Sequence, residues 1–242
     1  PIYPRLKLPY VITWNVSLQK KLGSGQTISA TYLGSSGKRL LNTETFLGQN
    51  PDFNFLRVTT NRGKSDYRAL QLKFERPFTN HFGALVSYTL SQSMDNVIED
   101  SARRVVLTPF DVVGSDFDVR HQLTGFATYE VPALLKTGLG NKLSRNWAIE
   151  SIFNARSAKP LKFVSMFPTS FGAAYVQEDV SQHGFPRYQV DMALRRKFNF
   201  TERIGLQIQA DAFNVFNHPN FEDPTGNDLV LGSAHVGQSA SM

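Results

Sequence analysis

The densest group of chemically capable side chains is Asp116, Asp118, Arg120 and His121, in the stretch SDFDVRH. Two carboxylates, a guanidinium and an imidazole this close together could do general acid–base work if a fold turned them into one cleft. They stand, however, where a polar segment enters a strand-like one. Asp–Arg pairing and local hydrogen bonds would cap such a loop–strand junction, and that is the expected role. Asp95, Glu99 and Asp100 offer oxygen ligands to calcium but lack the ligand spacing of a recognised loop. The histidines, His81, His121, His183, His218 and His235, are scattered, with no HExxH or HxH pattern, so turn and strand-end roles are expected rather than zinc. Gly34-Ser35-Ser36-Gly37 reads as a turn without the strand–turn–helix setting of a serine nucleophile. Enzymes are the least supported class, and no cofactor is expected.

A further dense motif is NVFNHPNF, residues 214–221. It could expose Phe216, Asn217 and His218 to a ligand. A strand end running into a proline-directed turn, with Phe213 and Phe216 packing at a membrane interface, is the expected alternative.

The elements that position these residues are two-sided strands. Residues 66–93 read as two long strands joined by Thr79-Asn80-His81. Leu70, Leu72 and Phe74 share one face of the first, and Gln71, Lys73 and Glu75 share the other. On the second, Phe82, Ala84, Val86, Tyr88 and Leu90 alternate with Gly83, Leu85, Ser87, Thr89 and Ser91. A period of two puts one face in an apolar medium and the other in a polar one. Strands of this length can cross a tilted path through a bilayer, whereas strands of soluble proteins are usually about five or six residues long.

The same alternation recurs along the chain. Residues 11–22 place Trp14, Val16 and Leu18 opposite Asn15, Ser17 and Gln19, and Gly23-Ser24-Gly25 turns the chain into 26–33. Residues 38–46 are a weaker third strand. Strands are expected at 118–131, 147–157 and 188–200. The strand at 203–217 sets Ile204, Leu206, Ile208, Ala210 and Ala212 against Gly205, Gln207, Gln209, Asp211 and Phe213. Residues 48–64, 95–116 (with a short helix near 98–104) and 159–186 read as long irregular connections, and 132–145 as a shorter one. The tail from His218 is turn-rich. Short turns alternating with long loops are the habit of outer-membrane barrels. Trp14, Tyr32, Phe78, Tyr129, Trp147 and Phe198 near strand ends could form interfacial girdles, or could be there because aromatics suit strands.

Composition agrees. With no cysteine among the 242 residues, disulfides and thiolate metal sites are excluded. No run approaches the length of a membrane helix, so any membrane crossing must be made by strands. The net charge of +6 is spread over pairs and triplets such as Lys20-Lys21, Arg103-Arg104 and Arg195-Arg196-Lys197 rather than gathered in a stripe, so a nucleic-acid partner is not expected. No secretory signal opens the sequence, as if the chain were mature or a fragment.

Six collinear stretches make the chain similar to a known family: TWNVSLQKKL (13–22), ISATYLGSSGKRLL (28–41), SDYRALQLKFERPFTNHFGALVSYTLSQSMDN (65–96), SDFDVRHQLTGFATYEVP (115–132), NKLSRNWAIESIFNARSAKPL (141–161) and VDMALRRKFNFTERIGLQIQADAFNVFNHPNF (190–221). Together they resemble the C-terminal β-barrel region of TonB-dependent receptor-like proteins. The closest likeness is the Oar-like group with a carboxypeptidase-regulatory-like domain. The resemblance implies an outer-membrane barrel of about 22 strands, an N-terminal plug domain and a TonB-type energiser. Residues 1–242 would then form part of such a barrel, with about nine or ten strands. Plug and TonB-box segment are missing, and the chain stops after GSAHVGQSASM without a final aromatic-ended strand, so a fragment is expected.

The expectation is therefore an all-β, antiparallel, up-and-down transmembrane barrel wall in the cell outer membrane. Lipid would meet the apolar faces, and Gln71, Lys73, Glu75, Gln207, Gln209 and Asp211 would face the lumen. The whole protein would take up or bind a bulky solute that the sequence does not identify. A soluble β-sandwich binding module and a self-contained small barrel are the alternatives. Buried apolar faces would favour the first, and closure of the first strand onto the last would favour the second.

Overall fold

The computed structural model describes residues 5–23, 25–50, 53–96, 113–133, 137–138, 141, 144–161, 163–169, 172–177, 182–224, 229–234 and 236–239. The strands are β1 (Tyr10–Leu22), β2 (Gln26–Asn50), β3 (Phe53–Thr79), β4 (Phe82–Asp95), β5 (Val113–Gly114), β6 (His121–Val131) and β7 (Trp147–Arg156). They continue with β8 (Pro160–Leu161), β9 (Val164–Thr169), β10 (Gly172–Gln177), β11 (Gln182–His183), β12 (Arg187–Asn199), β13 (Gly205–Ala212) and β14 (Val230–Leu231). One nine-stranded sheet dominates, in the order β1-β2-β3-β4-β6-β7-β12-β13, with β5 beside β4. Every pairing in it is antiparallel, and long strands follow one another up and down. Small sheets, β10-β9-β14 and β11-β8, arise mainly from the segment between β7 and β12.

The short turns have the backbone their hairpins demand. Asn80 and His81 take left-handed φ values of 51° and 65°, the geometry that matches the twist of a two-residue hairpin. Gly23 and Gly25 do the same between β1 and β2. Between β12 and β13, the Phe200 and Thr201 amides both donate to the Ile204 carbonyl. At the same end, the link from β6 to β7 makes helical bonds from Asn141 N–H to Thr137 C=O and from Arg145 N–H to Asn141 C=O.

Several sequence expectations need correction. Gly34-Ser35-Ser36-Gly37 is not a turn but the middle of the 25-residue strand β2, paired with Trp14 to Val11 on one side and Arg68 to Ser65 on the other. The small residues serve packing: a Cβ at Gly34 would collide with the Trp14 indole. Residues 53–64 are not a loop but the first half of the 27-residue strand β3, and 48–50 close β2. The sequence here has no single alternating face, because its apolar positions change parity between Phe55 and Leu56, so the period-two signal fades while the hydrogen bonds continue. Register shifts between Lys38 and Leu40 and between Leu40 and Asn42 mark where it bends.

Residues 159–186 hold β8 to β11 rather than an irregular stretch. β6 begins at His121, leaving Asp118 to Arg120 outside it, and β13 ends at Ala212 because Asn214 and Asn217 turn left-handed. Trp14 and Tyr32 lie mid-strand, not at strand ends, since β1 and β2 run on past them. The short helix expected near 98–104, Glu99 and Asp100, Ser24 and His235 fall outside the described residues.

Very little apolar surface is enclosed. Ala69, Ala148 and Phe163 are the buried hydrophobic residues among those described, while Val16 is 66% and Leu18 73% exposed. The sandwich alternative fails on this point, because no second sheet covers the apolar face of the main one among the described residues. No pairing joins β1 to β13 among them either, so the wall is open, as a partial barrel is.

Candidate functional site

Two features concentrate polar chemistry: one face of the main sheet, and the cap over the end of β4 and β6. The register builds the first. One row runs Leu18, Ala30, Leu72, Tyr88, Leu123, Ala155, Tyr188 from β1 to β12; the next same-face row runs Lys20, Ile28, Phe74, Val86, Gly125, Phe153, Val190. Leu194 and Arg196 continue that face to Ala210 and Ile208 on β13. Between charged residues such as Lys20, Arg76 and Arg196 toward the short-turn end and Lys38, Asp66, Arg68 and Gln92 toward the other, this face is mainly apolar.

The opposite face carries Gln19, Ser29, Lys73, Ser87, Thr124, Asn154 and Gln189 in a single row. All six residues expected to share a polar side lie on it: Gln71, Lys73 and Glu75 on β3, and Gln207, Gln209 and Asp211 on β13. They form two separate ladders near opposite edges of the sheet, not one site. Lys73 Nζ meets Glu75 Oε2 at 2.9 Å, and Gln209 Nε2 donates to Asp211 Oδ1 at 2.8 Å. Steps of two residues along a strand bring such neighbours together.

Sequence reading missed the ion pair between them. Arg195 Nη2 on β12 stands 2.6 Å from Glu150 Oε1 on β7, both half-buried. Alternation alone would have put Glu150 and Asn154 on the polar face of β7, but only register sets Arg195 beside Glu150. Asp191 is a second hub, receiving the Gln189 amide at 2.9 Å and the Asn214 N–H at 2.8 Å. An apolar island, Leu85, Phe126 and Ile152, interrupts this face along one row.

The second feature gathers three of the four junction residues. Asp118 is buried, and its Oδ1 accepts the Ser93 N–H at 2.7 Å while Oδ2 meets Arg120 Nη2 at 3.3 Å. Ser115 N–H donates to the Ser93 carbonyl at 2.9 Å, and Ser91 Oγ donates to the Val119 carbonyl at 2.7 Å. His121 begins β6; its Nδ1 lies 2.8 Å from Tyr88 Oη, and its N–H donates to Ser157 Oγ at 3.0 Å. Asp118 thus spends both oxygens on backbone and guanidinium donors, which leaves it holding the chain in place. Asp116 is half-exposed in the turn that leads into Asp118.

In NVFNHPNF, Asn214 Nδ2 donates to the His218 carbonyl and Asn214 Oδ1 accepts the His218 N–H, closing a compact corner. The His218 ring stands edge-on to Tyr188 at 5.3 Å. Phe213 and Phe216 are largely exposed. At the short-turn end, Arg196 lies over Phe198 at 4.3 Å and over Trp147 at 5.0 Å, and Arg76 over Phe82 at 5.1 Å. Long cationic side chains that lie along rings keep the stem on apolar surface and the charge at its border.

A single antiparallel wall, apolar on one side and polar on the other, with short turns at one end and long extensions at the other, defines the class of outer-membrane β-barrel proteins. The family comparison agrees: the model described as "Outer membrane beta barrel domain" matches residues 1–183 and 162–242, and the chain belongs to that family. Its place is the cell outer membrane. Among solved structures, the fold is similar to the outer membrane transporter YddB from Escherichia coli, with a TM-score of 0.64 and 16% identity. That similarity covers 99% of this chain and 32% of the transporter, so the chain spans about a third of its length. At this identity the likeness concerns the fold. No curated protein matches the sequence.

Proposed function

We propose that the chain is part of the barrel wall of a TonB-dependent receptor-type protein, which takes up or binds a bulky solute at the cell surface by energised transport. The observation that carries this reading is the two-sidedness of an unclosed wall. The apolar rows would meet lipid, and Gln71, Lys73, Glu75, Gln207, Gln209 and Asp211, with the Arg195–Glu150 pair, would line a polar lumen. Backbone groups in hydrocarbon have no outside partners, so the free edges at β1 and β13 call for further strands. The fold likeness to a transporter and the six collinear stretches support the same reading. The solute would be chosen by the long extensions and by the plug domain that the family resemblance implies.

The test uses the intact protein in detergent micelles and the isolated periplasmic domain of a TonB-type energiser from the same cells. Saturable binding between them is expected. If that domain ignores the receptor both with and without cell-surface extract as a solute source, energised uptake is the wrong function for this barrel.

A further inference from the structure

The last polar-face row to cross β6, β7 and β12 before the long extensions runs Ser17, Thr31, Gln71, Thr89, Gln122, Arg156, Arg187 from β1 to β12. The row is uncharged until it ends in two arginines set directly opposite each other. Side chains so placed have Cβ atoms about 5 Å apart, and like charges there repel. The pair cannot separate by slipping, because one register runs through it. Tyr188 meets Ala155 on one side; on the other, Gly184 N–H donates to the Lys159 carbonyl at 2.9 Å, and β11 then pairs with β8.

The protein neutralises neither cation. Among the described residues, no carboxylate, ring or hydrogen-bond acceptor engages Arg156 or Arg187. Arg156 is half-buried, and its Nη1 is shielded from solvent with no protein group to donate to. Arg76 and Arg196 also carry a shielded, unpaired Nε, but each lies over an aromatic ring. The acids of the neighbouring ladders are spent elsewhere: Asp118 on Ser93 and Arg120, Asp191 on Gln189 and Asn214, Glu150 on Arg195. Asp191 is four residues along β12 from Arg187, about 13 Å away. A shielded guanidinium N–H without an acceptor costs free energy, and a bound anion would satisfy it. Guanidinium forks match the oxygens of a carboxylate or a phosphate.

A second observation narrows the class of anion. Four residues along the same strands, again about 13 Å, Leu85, Phe126 and Ile152 stand side by side on the polar face, all exposed. The row between, Ser87, Thr124, Asn154 and Gln189, is uncharged. Contiguous apolar side chains on a face that is otherwise polar mark a contact for an apolar group. Ligand sites combine such area with a few charged groups that fix orientation. An inorganic ion would engage the arginines and leave the island bare, whereas an organic anion with an apolar body engages both.

We propose that Arg156 and Arg187, assisted by Gln122, hold the carboxylate or phosphate of an amphipathic organic anion whose apolar body lies on Leu85, Phe126 and Ile152. The inference rests on the reading of the polar face as the lumen of a solute-binding barrel, and it adds the chemical class of the solute.

The test is isothermal titration calorimetry on the intact protein in lipid nanodiscs, with empty nanodiscs as the blank. The probes are biphenyl carboxylate, the neutral biphenyl methanol, and acetate. The natural sequence should bind biphenyl carboxylate at least about tenfold more tightly than either of the others. Arg156→Gln/Arg187→Gln should lower that affinity at least about tenfold, the loss expected for one charge-assisted contact. Phe126→Thr should lower it severalfold. An affinity that survives the arginine changes overturns the assignment. Acetate held as tightly as biphenyl carboxylate, or no effect of Phe126→Thr, overturns it as well, since the site then takes any small anion. Heat-modifiable migration in gels confirms that the variants are folded. Energiser binding measured on the same samples keeps the two readings apart. A receptor that binds the energiser without arginine-dependent anion binding refutes the anion site alone, and the converse refutes the transport reading alone.

Discussion

The side-chain amide of Asn220 pairs with the backbone of Tyr188 as a neighbouring strand would. Its Nδ2 donates to the Tyr188 carbonyl at 2.9 Å, and its Oδ1 accepts the Tyr188 N–H at the same distance. After β13 the chain therefore returns to the top of β12, and Val215 N–H adds a bond to the Val190 carbonyl. One asparagine closes the upper end of an edge hairpin that has no further strand beside it among the described residues. Replacing it separates donor from acceptor. Asn220→Asp keeps the acceptor and loses the donor, while Asn220→Ala loses both. With one net hydrogen bond at about 1 kcal/mol, the alanine variant should lose about twice what the aspartate variant loses. Denaturant titration of the reconstituted protein measures both, and equal losses would mean that only one of the two bonds matters.

The two faces of β3 should respond oppositely to charge. Leu72 stands in the apolar row between Ala30 and Tyr88, and its neighbour Gln71 faces the other way between Thr31 and Thr89. In phospholipid vesicles Leu72→Arg should cost about 2–4 kcal/mol of unfolding free energy, as arginine does at the middle of a lipid-facing strand. Gln71→Arg should change it by less than about 1 kcal/mol. A similar cost at both positions would remove the assignment of apolar rows to lipid.

Asp118 is the keystone of the junction rather than a reactive acid. Asp118→Ala orphans the Ser93 amide and frees Arg120, at a cost of about 1–3 kcal/mol for the buried donor. Asp118→Asn retains an acceptor for Ser93 and should recover much of that. Hydrogen exchange is the direct readout. The Ser93 and Ser115 amides should exchange faster in the alanine variant, with amides of β12 and β13 unchanged. Unaltered protection at Ser93 would show that the carboxylate does not hold this corner.

Gly34 is reserved for the Trp14 ring, which lies over it across the β1–β2 ladder. Gly34→Ala should push the indole off the strand, shifting its fluorescence in a Trp147→Phe background that leaves Trp14 as the remaining tryptophan. Crowding of this kind costs about 1–3 kcal/mol in a packed interior and less where a ring can swing outward. Removing the ring with Trp14→Ala should abolish the penalty. A penalty that survives Trp14→Ala would assign it to the backbone instead.

Much of the wall was legible before any coordinates. Alternation located β1, β4, β6, β7 and β12 to within a few residues and sorted Leu70, Leu72 and Phe74 from Gln71, Lys73 and Glu75. What alternation reports is a difference between media on two sides of a strand. Residues 34–37 are small glycines and serines, and in 53–64 the apolar positions change parity between Phe55 and Leu56, so the signal disappears and they looked like turn and loop while the ladder ran on through them. The short strands β8 to β11 are hidden for a related reason, being too brief to show a period.

The sequence by itself determined the two-sided strands, the hairpin turns at Asn80-His81 and the exclusion of disulfide chemistry, because those depend on neighbours along the chain. Tertiary structure decided the register. It set Arg195 beside Glu150, Asp118 under Ser93, and Arg156 opposite Arg187, residues far apart in the chain that meet only when antiparallel ladders fix which amide faces which carbonyl. Hydrogen bonds between strands carry that information, and no local pattern of side chains encodes it.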